Sequence, residues 1–158
     1  MKKICAVLVI ALFMISVPLA AQAASFKALE AKASAALNEG YRTALQNQVY
    51  HYAVVIAYYT AVSGEWWTGL AIYNAADTTN SLMVGCFDTT GAAVGSGTLS
   101  LEGNALAADL IGGFMDSGVA PTRGSIAVFG TEDFIVDRYL GNEIGGGFGE
   151  VQLEAEYY

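Results

Sequence analysis

The sequence predicts a mostly β protein, an antiparallel β-sandwich of about seven strands preceded by an N-terminal helix. From residue 49 onwards, short segments rich in Tyr, Val and Ile are separated by turn residues at roughly 8–12-residue intervals. The last segment, Val151 to Tyr157, alternates apolar residues with glutamine and glutamate. Such alternation is typical of a strand with one face on a core. It also disfavours an outer-membrane barrel, whose outward-facing residues contact lipid.

Residues 1–23 have the pattern of a signal peptide. Lys2 and Lys3 precede an apolar run from Ile4 to Leu19, and Ala21-Gln22-Ala23 matches the small-x-small pattern read by signal peptidase. We expect cleavage after Ala23 and export by the general secretory route to the periplasm or the extracellular space. The alternative is a retained membrane anchor, for which the apolar run is short.

Two segments have a helical period. Residues 24–48 form the predicted N-terminal helix, with Ser25 as N-cap and a stripe in which every fourth residue is apolar: Leu29, Ala33, Leu37, Tyr41 and Leu45. A second, short helix is predicted near residues 104–115, since Leu106, Leu110 and Phe114 are also spaced by four behind Asn104. The sandwich domain itself spans residues 49–158.

Charge excludes some classes of partner. Without residues 1–23 the chain has five Lys and Arg against fifteen Asp and Glu, a net charge of −10. Nucleic acid and anionic lipid both require a basic surface, so neither is an expected partner. We expect no transmembrane span after signal cleavage, because no later stretch is long and apolar enough.

The residues that carry chemistry are few. His51 is the single histidine, and no nucleophile motif accompanies it, so we expect an ordinary strand residue and no catalytic triad. Cys86 is the single cysteine outside the predicted signal; it is either a buried, inert thiol or one half of an intermolecular disulfide. No metal site and no cofactor are expected. A carboxylate-dependent hydrolase is the alternative function, with Glu132, Asp133, Asp137, Glu143 and Glu150 as candidates.

The strand from Trp66 to Asn74 contains the best candidates for binding. Alternation places Trp66 and Thr68 on the core face with Leu70 and Ile72, and it places Trp67 and Tyr73 on the opposite face. We expect Trp66, Thr68 and Asn74 to be structural anchors. Trp67 and Tyr73 form an aromatic strip suited to a sugar or a protein partner, unless the N-terminal helix covers it.

The same strand bears a resemblance to a known module. A known module of secreted and surface proteins of bacteria, uncharacterised and immunoglobulin-like, resembles this chain in four places: the run from Trp66 to Asn74, the hairpin Phe87-Asp88-Thr89-Thr90-Gly91, a small hydrophobic helical piece from Leu106 to Phe114 and the strand Gly124 to Val128. The resemblance covers roughly residues 50–157. It implies an exported immunoglobulin-like β-sandwich and supplies no catalytic residues.

The function we expect from these observations is non-catalytic. We expect the chain to be an exported binding or surface-assembly protein and not an enzyme. Its expected partners are a carbohydrate or another surface protein, and self-association through the N-terminal helix or an edge strand is the third option.

Overall fold

Two antiparallel sheets face each other in the computed structural model, which describes residues 19–36, 49–62, 64, 66–116, 122–142 and 148–158. The described elements are, in chain order, α1 (Leu19–Ala36), β1 (Tyr52–Thr60), β2 (Trp66–Asn74), β3 (Asn80–Asp88), β4 (Ala93–Leu101), β5 (Leu106–Leu110), a 3₁₀ helix (Ile111–Phe114), β6 (Arg123–Gly130), β7 (Phe134–Asn142), β8 (Phe148–Glu154) and β9 (Glu156–Tyr157). The first sheet has the strand order β4-β3-β6-β1-β9, and the second has the order β5-β2-β7-β8.

The core lies between the two sheets. Alternate residues of facing strands point into it, which is the physical basis of the period of two seen in the sequence. Its fully buried side chains include Tyr59, Leu70, Ile72, Leu82, Val84, Ile126, Val128, Phe134 and Val136. The predicted mostly β, two-sheet architecture is therefore confirmed, and a fold of this kind is stabilised by apolar burial.

The strand count is larger than predicted, partly because the last segment divides. Residues 148–154 pair with β7 in the second sheet, whereas Glu156 and Tyr157 pair with Ala53 and Tyr52 in the first. The chain thus crosses between the sheets at Ala155, whose N–H donates to the carbonyl of Phe134 at 3.0 Å. An alternating pattern does not reveal this crossing, because the face of each residue is the same before and after it.

The helix predicted near residues 104–115 is confirmed only at its end, as a single short turn, and is wrong for the residues before it. Residues 106–110 form β5, which pairs with β2 from Tyr73 to Gly69, and only Ile111–Phe114 take a helical turn, of 3₁₀ type. Asn104 is a turn residue with φ 60° and not an N-cap. The reason is a contact between distant segments. The free edge of β2 supplies backbone hydrogen-bond partners for residues 106–110, and these hydrogen bonds outweigh the weak helical preference of the segment.

The N-terminal helix covers the outer face of the first sheet. Phe26 and Ala33 are buried there against residues of β3 and β6. A Cβ built at Gly85 would lie 2.6 Å from the Cβ of Ala33, so only glycine permits this approach. Ser96 Oγ donates to the carbonyl of Ala33 at 2.7 Å, which fixes the helix on the sheet.

The N-terminal helix differs from the sequence prediction at its start. The described helix, Leu19–Ala36, includes residues on both sides of the predicted cleavage site, so Ser25 lies inside it and is not its N-cap. Residues 37–48, which include Leu37, Tyr41 and Leu45, lie outside the described residues, as do residues 1–18. Within the described part of the chain, no helix combines the length and apolar character needed to span a membrane.

Candidate functional site

The outer face of the second sheet carries the aromatic strip predicted from the sequence. Register places these side chains opposite to the inward-pointing Leu70 and Ile72. We call this surface the open face; its residues are Trp67, Gly69, Ala71 and Tyr73 on β2, Ile135, Asp137, Tyr139 and Gly141 on β7, Glu150, Gln152 and Glu154 on β8, and Leu106, Ala108 and Leu110 on β5. The described part of the N-terminal helix, α1, packs on the other sheet and not on this strip.

Trp67 lies across two glycines of the open face. Gly141 is its partner on β7, and a Cβ built there would collide with the indole. A Cβ built at Gly69 would lie 3.4 Å from Cζ3 of the same ring. Both glycines are buried, while the tryptophan is partly exposed. The two glycines therefore form a seat that lets the indole lie against the sheet and present its other side to solvent.

Tyr139 neighbours this indole and is held between two carboxylates. It pairs with Gly69 on one side and with Glu150 on the other. Desolvation raises the pKa of Tyr139, and the negative charges of Glu150 and Asp137 and hydrogen bonds with both raise it further. The phenol therefore stays protonated at neutral pH and acts as a donor. Asp137 keeps one buried carboxylate oxygen, Oδ1, without a hydrogen-bond partner among the described residues.

Tyr73 marks the opposite end of the strip, about 20 Å from Trp67 along the strand. Its side chain is 37% exposed. Its hydroxyl donates to Asn104 Oδ1 at 3.1 Å, and the amide of Asn104 donates in turn to Asp77 at 3.2 Å. The turn before β5 therefore fixes the position of the Tyr73 ring on the open face.

The three predicted anchors differ in their surroundings. Trp66 is 38% exposed, so the prediction of a core anchor is wrong for it. It points to the inner side of β2, but it lies at the end of the strand, opposite Asn142, beyond the filled part of the core. Thr68 is buried: its Oγ1 accepts from the N–H of Thr60 at 2.9 Å and donates to the carbonyl of Thr60 at 3.1 Å, which joins β1 to β2.

Asn74 is the most extensively bonded of the three. Its buried Nδ2 donates to the carbonyls of Thr78, Leu101 and Glu102 at 2.8, 3.1 and 2.9 Å. Its Oδ1 accepts from the N–H of Ala76 at 3.1 Å. One side chain therefore ties the end of β2 to the β2–β3 turn and to the end of β4.

The acidic residues considered for a hydrolase lie in separate places. Glu132 and Asp133 belong to the turn between β6 and β7, where their backbone carbonyls accept from Asn80 Nδ2. Asp137 and Glu150 lie on the open face, around Tyr139. Glu143 lies outside the described residues. The structure thus brings together one pair from the set, on the surface of a sheet.

A groove between the edges of the two sheets contains two further acidic residues. Its volume is about 570 Å³, and it lies between β4 and β5, with Asp109 and Asp116 in its wall. Desolvation raises the pKa of Asp116, and a hydrogen bond from the backbone of Thr98 opposes that rise. The backbone N–H of Asp116 donates to the carbonyl of Ser96, so the segment after the 3₁₀ helix shields the outer edge of β4.

The remaining chemical candidates are structural. His51 stacks on Tyr157 with ring centroids 5.8 Å apart. Cys86 is free and fully buried, which fits the inert thiol and disfavours a disulfide with another chain. Burial raises its pKa to about 12, although a hydrogen bond with Tyr59 opposes this. Within the described ranges, no three His, Cys, Asp or Glu side chains are grouped closely enough to bind a metal ion.

Sequence reasoning placed Trp67 and Tyr73 on one face but missed Tyr139 and Gly141 as their neighbours. The alternation in the segment from Phe134 was visible, with Tyr139 on the outer side. The sequence does not reveal that β7 pairs with β2, because four other strands separate them in the chain.

Comparisons with known proteins bear on the fold. No protein-family model matches the chain, and no curated protein matches it. Among solved structures, it is similar to the crystal structure of Thermotoga maritima 1070, with a TM-score of 0.50 and 9% sequence identity. The match covers 71% of this chain and 97% of the other. At this identity the likeness supports the sandwich fold alone.

Proposed function

We propose that this chain is an exported, non-catalytic β-sandwich protein that binds a neutral glycan on the open face. The observation that supports this most directly is the indole of Trp67 seated on Gly69 and Gly141. Beside it, Tyr139 is held by Asp137 and Glu150. A flat ring next to fixed hydrogen-bonding groups is the combination that sugar recognition needs.

The chemistry of a sugar matches both parts of this surface. The C–H face of a pyranose ring is apolar and packs on an aromatic ring, much as other apolar groups do. Its hydroxyl groups need acceptors, which Asp137, Glu150 and Glu154 supply as carboxylates and Gln152 as an amide.

Charge selects a neutral ligand. Three carboxylates and no Lys or Arg lie among the residues that make up the open face. Arg138 belongs to β7, but register places it on the inner side, opposite Leu70. A glycan bearing carboxylate, sulfate or phosphate would therefore be repelled at low ionic strength.

The geometry supports binding rather than turnover. The carboxylates of the open face lie on a sheet surface, whereas glycosidases place two carboxyl groups across a cleft that holds the scissile bond. Export forms part of the proposal, and it rests on the predicted signal peptide of residues 1–23. The immunoglobulin-like assignment stays a prediction; the two-sheet sandwich is what supports it.

The test is binding of the purified protein to neutral glycans. We expect cellohexaose to bind in isothermal titration and polygalacturonate to be excluded. Trp67→Ala should weaken cellohexaose binding at least about tenfold, since an aromatic anchor at a binding surface is worth about 1–2 kcal/mol or more. The matched control is Tyr58→Ala, which removes a 43% exposed ring from the first sheet and should leave the affinity unchanged.

Two results would overturn the proposal. One is the failure of the wild-type protein to bind any neutral oligosaccharide in a panel of different linkages. The other is equal weakening by Trp67→Ala and Tyr58→Ala, which would place binding elsewhere. Capture of a protein in place of a glycan would favour the surface-protein alternative, and hydrolysis of the oligosaccharide would favour the hydrolase.

A further inference from the structure

A small apolar pocket adjoins the open face at its Trp67 end. Its volume is about 220 Å³. Trp66 and Trp67 form part of its wall, and the ends of β1 and β5 and the start of the 3₁₀ helix complete it through Ala61, Val62, Leu110 and Gly112. Trp67 belongs to both the pocket and the open face, so a ligand on one reaches the other.

The threonine hydroxyls beside this pocket are engaged in hydrogen bonds within the protein. Thr60 and Thr68 line it, but Thr68 Oγ1 is engaged with both the N–H and the carbonyl of Thr60. The hydroxyl of Thr60 lies 3.4 Å from the N–H of Val62. The pocket therefore offers an occupant apolar contact and little hydrogen bonding, in contrast to the carboxylates of the open face.

We infer that the pocket takes the methyl of an acetyl group, so that the glycan bound by this protein is an acetylated one. This inference rests on the proposed function. Among the usual substituents of sugars, sulfate, phosphate and uronic carboxylate add negative charge, which the carboxylates around Tyr139 repel. An acetyl group, linked through nitrogen or oxygen, adds an apolar methyl without charge, which is what the apolar lining of this pocket favours.

The test compares oligosaccharides that share a backbone. Chitohexaose and cellohexaose differ in the acetamido group at C2, and acetylated and saponified xylo-oligosaccharides differ in O-acetyl groups. We expect the wild-type protein to bind at least one acetylated member about tenfold more tightly than its partner, as one apolar group in a fitting pocket discriminates by roughly 10–200-fold. The preferred pair distinguishes the two linkages.

The variant Gly112→Leu tests the position of the pocket. Gly112 lines the pocket, and a Cβ there meets no atom within 4 Å, so a leucine is accommodated and adds bulk at the pocket wall. The preference for the acetylated member should fall to about one. Leu110→Asp, at a side chain 54% exposed, is the second variant and should lower the preference in the same direction. Gly149→Leu is the matched control, because that glycine is exposed, lies outside the pocket and has only one atom, 4.0 Å away, near its Cβ.

The outcomes separate the two proposals. If cellohexaose and chitohexaose bind equally, and the two xylan fractions also bind equally, the acetyl inference fails while glycan binding on the open face stands. If the wild-type protein binds none of them, the proposed function fails first. If the preference exists but survives both Gly112→Leu and Leu110→Asp, the acetyl group lies elsewhere and the assignment of this pocket is overturned.

Discussion

The hydroxyl of Tyr158 donates a 2.7 Å hydrogen bond to Glu30 Oε2 and so joins the end of the last strand to the N-terminal helix. Lys27 completes the contact, with Nζ 3.1 Å from the same oxygen and 4.6 Å from the centroid of the Tyr158 ring. Phe26 packs on that ring with the centroids 5.3 Å apart. The backbone N–H of Tyr158 donates to the carbonyl of His51. Helix, first sheet and last strand are therefore held at one point.

Tyr158→Phe is expected to destabilise the fold by about 1 kcal/mol, because it removes one hydrogen bond to a charged acceptor at a partly buried position. The measurement is urea unfolding followed by circular dichroism at pH 7. Tyr157→Phe is the matched control: its side chain is 67% exposed, and it should change stability little. Equal effects of the two variants would show that the hydroxyl of Tyr158 contributes nothing specific.

The same contact predicts loss of stability in alkali. Burial raises the pKa of Tyr158 above its usual 10.0, and the hydrogen bond and charge of Glu30 and the charge of Tyr50 raise it further. Above about pH 10 the unfolded chain therefore binds fewer protons than the folded one, and the free energy of unfolding falls as pH rises. Tyr158→Phe should lose stability less steeply than the wild type between pH 9 and 11, and an unchanged slope would contradict this account.

Asn74→Asp is expected to destabilise the protein by about 3 kcal/mol. The change replaces an amide that donates to three carbonyls with a buried carboxylate that faces them. Gln152→Glu makes the same chemical change on exposed β8 and serves as control. Both are measured by urea unfolding at pH 7; a loss below about 1 kcal/mol for Asn74→Asp would mean that the side chain rotates out and is rebonded to water.

Cys86 should not react with a thiol reagent while the protein is folded. The side chain is fully buried and its pKa is raised to about 12, so neither access nor thiolate is available at pH 8. In a chain with Cys5→Ser, we expect no colour with Ellman's reagent in buffer. In about 8 M urea, which unfolds the protein, we expect one reactive thiol per chain. Ser100→Cys, at an exposed position of β4, should react without urea. Fast labelling of Cys86 in buffer would show that the interior opens.

Gly141→Ala should displace the indole of Trp67, because the new methyl group would occupy the space of that ring. We expect cellohexaose affinity to fall about as much as in Trp67→Ala and the free energy of unfolding to fall by about 1–3 kcal/mol. Gly69→Ala is the milder companion, since its Cβ would lie 3.4 Å from the ring. Tryptophan fluorescence in a Trp66→Phe background reports the movement. An unchanged spectrum and affinity in Gly141→Ala would refute the glycine seat.

The sequence alone was enough to predict most of the strands, because burial of one face imposes a period of two. It was misleading at Leu106 and Leu110, where a spacing of four predicted a helix. The segment instead pairs with the free edge of β2 as a strand. The sequence also placed Trp66 in the core, since alternation gives the side of a strand but not where the core ends along it. Trp66 has inward register and is still 38% exposed.

By itself, then, the sequence determined a mostly β chain with alternating strands and an acidic surface. It also determined that Trp67 and Tyr73 lie on the same side of β2. Only the tertiary structure decided that α1 lies on the other sheet, that β7 brings Tyr139 and Gly141 beside Trp67, and that the chain crosses between sheets at Ala155. The physical reason is that the side of a strand follows from its own residues. Its neighbours depend on contacts between segments far apart in the chain, and these are selected by how the whole core is filled.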